Sequence, residues 1–97
     1  MPTYVTLFKW TEQGVKNVKD TMDRTEQART AVEAVGGRLV SLYWTQGAYD
    51  FVATTDFPDE ETAQAFLLST AKLGNVRSQT MRAFSAEEMT RILAKVR

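Results

Sequence analysis

Asp50 is the carboxylate of this chain best placed to do chemistry. It follows Gly47-Ala48-Tyr49 at a glycine turn and opens a run of aromatic and β-branched residues. At the mouth of a sheet structure it would act as a base or anchor a polar ligand group. The same position suits a short side chain that accepts backbone hydrogen bonds and fixes the turn, and that structural role outweighs the first. Tyr49 beside it could donate its hydroxyl into a pocket, although a strand tyrosine more often packs half-buried with one polar tip. Arg77 follows Gly74-Asn75-Val76 and offers a fork of donors to an anion; pairing with Asp56 or Asp59 is its simpler role. Arg82 alternates onto the face of Ser78 and Thr80, where a half-buried guanidinium needs an acidic or carbonyl companion. Set among hydroxyls and aromatic rings, it would suit an anionic or polar small molecule.

Tyr4, Phe8, Trp10, Tyr43 and Phe51 form an aromatic set with two readings. They line an apolar cavity for a small ligand, or they fill an interface between two subunits. Together with Tyr49, Asp50 and Arg82 they make up the candidate ligand-binding residues. The acid runs Asp59-Glu60-Glu61 and Glu87-Glu88 complement helix N-termini rather than hold a metal.

The 97 residues contain no histidine and no cysteine. Disulfides, thiolate chemistry, imidazole bases and the usual haem ligand are thereby excluded. No cofactor, no metal and no assignable catalytic residue is expected. Twelve basic residues balance twelve acidic ones, so there is no field to hold a phosphate backbone and nucleic acid is not an expected partner. Apolar runs are too short to span a bilayer and no signal-like segment opens the chain, which makes a cytoplasmic protein the expectation.

These residues need elements to position them. Thr3 to Trp10 reads as a strand, followed by a turn at Thr11-Glu12-Gln13-Gly14 with a short helical piece through Val15 and Val18. A helix starting at Asp20 or Thr21 carries Met22, Ala28, Ala31, Val32 and Val35 on its apolar face and ends at Gly36-Gly37. Arg38 to Thr45 and Tyr49 to Phe57 make an antiparallel pair about a glycine turn. Pro58 to Glu61 starts a helix that buries Ala63, Phe66, Leu67 and Ala71 and stops at Gly74. A strand from Asn75 to Phe84 precedes the capping box Ser85-Ala86-Glu87-Glu88, which opens a terminal helix striped with Met89, Ile92, Leu93 and Val96. The order βαββαβ plus a terminal helix predicts one α+β, ferredoxin-like domain over residues 1–97, a four-stranded antiparallel sheet with both long helices on one face.

Such a sheet leaves a second face uncovered, and neither face of these strands is polar. Val5 and Leu7 alternate with Tyr4, Thr6, Phe8 and Trp10; Val40, Leu42 and Trp44 with Leu39, Ser41 and Tyr43; Val52 and Thr54 with Tyr49, Phe51 and Ala53. The expectation is a homodimer packed sheet against sheet, with the aliphatic face under the helices and the aromatic, hydroxyl-bearing face toward the partner.

Nearly the whole chain resembles the GYD-domain family. The matching residues are Gly47, Tyr49 and Asp50 with Ala48 inserted, Asp56-Phe57-Pro58-Asp59, and Leu73-Gly74-Asn75-Val76-Arg77. Phe8-Lys9-Trp10-Thr11, Gly36-Gly37-Arg38-Leu39-Val40 and Tyr43-Trp44 extend the match. The resemblance implies a ferredoxin-like subunit assembling as a dimeric α+β barrel, and carries no activity onto particular residues. The expected function is a homodimeric small-molecule-binding or interaction module. The alternatives are a cofactor-free oxygenase or isomerase-like enzyme acting between the sheets, and a structural building block that oligomerises through its terminal helix.

Overall fold

A computed structural model describes residues 1–97. Strand β1 (Thr3–Trp10) leads through a five-residue helix α1 (Glu12–Lys16) and a 3-10 turn (Val18–Asp20) into α2 (Thr21–Ala34). Strands β2 (Arg38–Trp44) and β3 (Phe51–Asp56) follow, then α3 (Glu60–Lys72), β4 (Val76–Ala83) and α4 (Ala86–Leu93). The sheet order is β2-β3-β1-β4 with every neighbouring pair antiparallel, the ferredoxin-like arrangement that the element order predicts.

Register sorts the side chains onto two faces, because directly opposed residues point the same way. Tyr4 lies opposite Thr55 and Arg82, Thr6 opposite Ala53 and Thr80, and Phe8 opposite Phe51 and Ser78. A bulge at Val40 resets the alternation of β2, so Leu39, Leu42 and Trp44 join this face. It is the face beneath the helices: Tyr4, Thr6, Phe8, Ala53 and Val76 are buried, together with Val32 of α2, Ala63 of α3 and Phe57. The expected orientation is therefore reversed. The aromatic face lies under the helices of its own chain, and Val5, Leu7, Val52 and Tyr43 point away from them. Volume explains the reversal. The helices present small residues, Ala28 and Ala63, toward the sheet, and large rings rather than valines reach into the space that these leave.

Local chemistry sets the helix boundaries. Asp59 is the cap of α3, its Oδ1 accepting the Thr62 N–H at 2.8 Å, so Pro58 precedes the helix instead of sitting in its first turn. The α4 capping box forms in both directions between Ser85 and Glu88. At the start of α2, Asp20 occupies the cap position without a side-chain bond. That helix keeps most of its predicted stripe. Ala28, Ala31, Val32 and Val35 all face the space over the sheet, with Arg24 on the line of Ala28 and Val32, while Met22 is 59% exposed and turns away.

The turn before β4 holds α1 in place. Gly74 takes φ +84°, a left-handed conformation that ends α3 without a Cβ penalty. The Asn75 carbonyl then accepts the Thr11 N–H at 3.0 Å, and Thr11 Oγ1 donates to the Gly74 carbonyl at 2.6 Å. Gly14 of α1 is packed so tightly here that a Cβ would collide with the Asn75 carbonyl oxygen.

Candidate functional site

Helix α2 packs on β2 and α3 on β4, and the space over the two central strands between them is a cavity of about 670 Å³. That is the size of small-molecule sites. Thr6, Phe8, Ala53 and Thr55 belong to the strands beneath it, α2 contributes Arg24, Ala28 and Val32, and α3 contributes Ala63, Phe66 and Thr70. Trp10, Trp44 and Phe51 line one end. Phe8 stacks on Phe51 with ring centroids 4.4 Å apart, and Trp10 tilts against Phe51 at 5.9 Å. These contacts hold the aromatic lining in fixed positions. A hydrogen bond of 3.0 Å joins the Thr6 and Thr80 hydroxyls under the cavity. The lining contains no carboxylate and no lysine, and Arg24 is its one charged residue.

The candidate residues divide around this cavity. Tyr4, Phe8, Trp10 and Phe51 line it; Tyr43, Tyr49, Asp50 and Arg82 do not. Tyr43 projects from the opposite sheet face and is 70% exposed. Tyr49 donates its hydroxyl to Gln79 Oε1 at 3.0 Å, with the Lys9 ammonium 5.4 Å from its ring centre. Asp50 Oδ2 accepts the Trp10 N–H at 2.8 Å while its own N–H donates to the Phe8 carbonyl at 2.8 Å. Those two bonds tie the β2–β3 loop to β1.

Arg82 has both companions that its position requires. Its guanidinium donates to the Thr3 and Ala83 carbonyls, lies 3.4 Å from Glu88 Oε2, and stacks over the Phe84 ring at 4.6 Å. It fastens α4 to the end of the sheet. Arg77 does not reach Asp56 or Asp59 and donates to the Val76 carbonyl. Asp56 instead accepts from Thr3 at 2.6 Å and pairs with Arg38 at 3.3 Å, since register sets Arg38 directly opposite it.

Two carboxyls are held below the usual carboxylate range. The Thr62 N–H, foremost, stabilises the charged form of Asp59, and the Ser85 N–H does the same for Glu88, with Ser85 Oγ and Arg82 adding to it. Both are capping groups. No group of three or more His, Cys, Asp or Glu residues lies close enough together to hold a metal ion, and no helix is long and apolar enough to cross a membrane.

Sequence reasoning missed Arg24, which it left off the apolar face of α2. The available signal was its spacing of four and eight residues from Ala28 and Val32, one line along a helix. Two polar atoms near the cavity are buried without a hydrogen-bond partner, Arg24 Nη2 and the Tyr4 hydroxyl.

Several known proteins resemble this chain. A Thermus thermophilus protein named "Glutamine synthetase and cystathionine beta-lyase binding protein" is 28% identical over 90 residues, covering 92% of this chain and 95% of the relative. A crystal structure of a protein from Thermus thermophilus superposes with a TM-score of 0.56 at 23% identity, over 89% of this chain and 96% of that one. The crystal structure of FFRP-DM1 gives a TM-score of 0.63 at 16% identity, over 87% and 100% of the two chains. MtbAldR gives 0.67 at 12% identity over 87% of this chain, which spans only 53% of that protein. At such identities these structures speak for the fold alone. From residue 4 to residue 93 the sequence matches the GYD domain, and the chain belongs to the GYD-domain family.

Proposed function

We propose that this chain is a homodimeric binding module. Its outward sheet face packs on a second copy, and the cavity between sheet and helices holds a small, mostly apolar molecule. The observation that carries the reading is the cavity: about 670 Å³ of space in a 97-residue chain, lined mainly by aromatic and aliphatic side chains. The cavity is open to solvent along one side, with Val35, Trp44 and Leu73 of its lining exposed, so a domain this small leaves much apolar surface wet unless something covers it. Binding fits the lining better than acid–base catalysis does. No carboxylate reaches the cavity, and Asp50, the natural candidate for a base, is engaged by the Trp10 backbone.

A role in docking on other proteins has separate support. The similar Thermus thermophilus protein is named for binding two enzymes, and here Phe84, Met89 and Leu93 are exposed on and beside α4. This docking would use the outside of the molecule and leave the cavity to the small molecule.

The neutral dye Nile red tests the cavity. The native protein should bind it with a rise in dye emission, and dye uptake should alter the emission of Trp10 and Trp44, both in the lining. Ala53→Phe projects a ring into the space. It should weaken dye binding at least about tenfold, the effect of losing one or two buried contacts, while circular dichroism stays native. Absence of dye binding, or equal binding by a folded Ala53→Phe variant, defeats the reading.

A further inference from the structure

The sheet floor of the cavity carries the hydroxyls of Tyr4, Thr6, Thr55 and Thr80. Thr6 and Thr80 bond each other at 3.0 Å, and the Tyr4 hydroxyl is shut off from solvent and so from the cavity space. Thr55 differs from all three. Its hydroxyl has no partner in the chain, yet it is not shut off as the Tyr4 hydroxyl is. The residue lies under the helices, opposite Tyr4 and Leu39, and only 7% of it is exposed. The surface that it keeps therefore opens into the cavity that it lines. Hydroxyls on the helix walls are already committed. Those of Thr25, Ser69 and Thr70 donate to the carbonyls of Thr21, Ala65 and Phe66, and that of Thr21 to Val18. No open charge is present either. Arg24 Nη1 donates to the Asn17 carbonyl at 3.0 Å, its Nη2 is shut off, and the lining holds no carboxylate and no lysine.

Strand β3 gives the floor a direction. Phe51, Ala53 and Thr55 alternate onto the helix side, so Thr55 lies about 13 Å from Phe51. Ala53 between them, with Thr6 opposite it, keeps the middle of the floor low. At the Phe51 end the rings of Phe8, Trp10 and Trp44 gather; Phe8 stacks on Phe51 at 4.4 Å, and Trp44 is 41% exposed. We propose that the cavity takes an uncharged molecule of roughly that length, with a flat aromatic end against Trp44 and Phe51 and one hydroxyl at the other end, bonded to Thr55. This rests on the small-molecule reading above and assigns the chemistry of the ligand. A flat ring extends the aromatic cluster and gains from stacking beyond the area that it buries. The Thr55 hydroxyl both donates and accepts, so it meets a ligand hydroxyl in either sense. A carboxylate in the same place would give up water with no counter-charge beside it.

Displacement of Nile red from the full chain by para-phenylphenol, para-cyclohexylphenol, biphenyl and para-phenylbenzoate tests it. In the native protein para-phenylphenol should bind at least about tenfold tighter than para-phenylbenzoate, whose charge finds no partner. The affinity ratio of para-phenylphenol to biphenyl should fall about two- to tenfold in Thr55→Val, the effect of one hydrogen bond, and survive in Thr55→Ser. The ratio of para-phenylphenol to para-cyclohexylphenol should fall by a similar factor, about two- to tenfold, in Trp44→Leu. The phenol and benzoate comparison needs no variant and stands even where one fails to fold. Benzoate binding as tight as phenol binding overturns the uncharged class. A phenol-to-biphenyl ratio unchanged in folded Thr55→Val, or lost as fully in Thr55→Ser, overturns the Thr55 assignment. An unchanged ratio in folded Trp44→Leu overturns the aromatic end. Displacement by none of the probes while Nile red still binds overturns the whole proposal and leaves the cavity reading standing, whereas failure of Nile red itself to bind overturns the small-molecule reading.

Discussion

Asp50 keeps the structural role that its turn favours, whereas Arg24 departs from the one that its polar surroundings suggest. Asp50 sits in a conspicuous motif, yet its carboxylate accepts a backbone N–H and pins a loop. Arg24 sits in an unremarkable polar stretch, yet it is the one charged residue of the cavity lining. A motif records that a residue is needed without saying whether the need is chemical or structural. For Asp50 the short side chain after a turn already favoured the structural role, and that much was legible. Gly14 belongs to the same scale. It has no conformational reason to be glycine, since its φ is not positive, and the need appears only once Asn75 is packed against it. Gly14→Ala should lower stability by about 1–3 kcal/mol, the usual cost of overpacking, seen as a lower urea midpoint with an unchanged slope. An unchanged midpoint would mean that α1 can shift away from the β4 turn at no cost. Trp10, whose ring lies 3.2 Å from the added Cβ position, would report such a shift in its emission.

At the scale of elements, caps were readable and faces were not. Ser85 with Glu88 and Asp59 ahead of Glu60 and Glu61 announce helix starts through local chemistry that needs no tertiary partner. The same caps predict an acid response. Asp59 and Glu88 are lowered in the folded chain by hydrogen bonds from Thr62 and Ser85. Their stabilising contribution is therefore complete above the ordinary carboxylate range of about 4 and is lost as pH falls through the lowered folded values. Urea unfolding between about pH 5 and pH 2 should show stability falling with acid. The fall should be shallower in Asp59→Asn/Glu88→Gln, whose amides still accept a hydrogen bond but do not titrate. Equal slopes in the two proteins would show that other carboxyls dominate. The bulge in β2 is the opposite case: nothing in Arg38-Leu39-Val40-Ser41 marks it, and it moves Leu39 to the helix side. The loss of Met22 from the α2 face follows similarly from packing, because Thr21, Arg24 and Thr25 turn toward the sheet in its place.

For the whole molecule, correcting the faces changes which surface should pair. Leu7, Val52 and Tyr43 are aligned across β1, β3 and β2 on the side away from the helices, and Met81 lies opposite Val5 on the same side. An exposed apolar surface of this kind marks an interface. Sedimentation velocity of the native chain should give a dimer, and Leu7→Glu should give a folded monomer, because a carboxylate in the middle of this apolar face would be buried without a counter-charge on pairing. A native monomer at micromolar concentration would defeat the dimer. The amino-acid sequence by itself determined the element order, the helix caps, the ferredoxin-like topology and the family, because each depends on local propensity, alternation and chain connectivity. Only the tertiary structure decided which sheet face the helices cover, that Arg24 rather than Arg82 lines the cavity, and which backbone N–H Asp50 holds. Alternation along a strand distinguishes two faces but carries no label for inside. That label comes from the fit between large rings on the sheet and small residues on the helices, a property of volumes that meet only after the chain has folded.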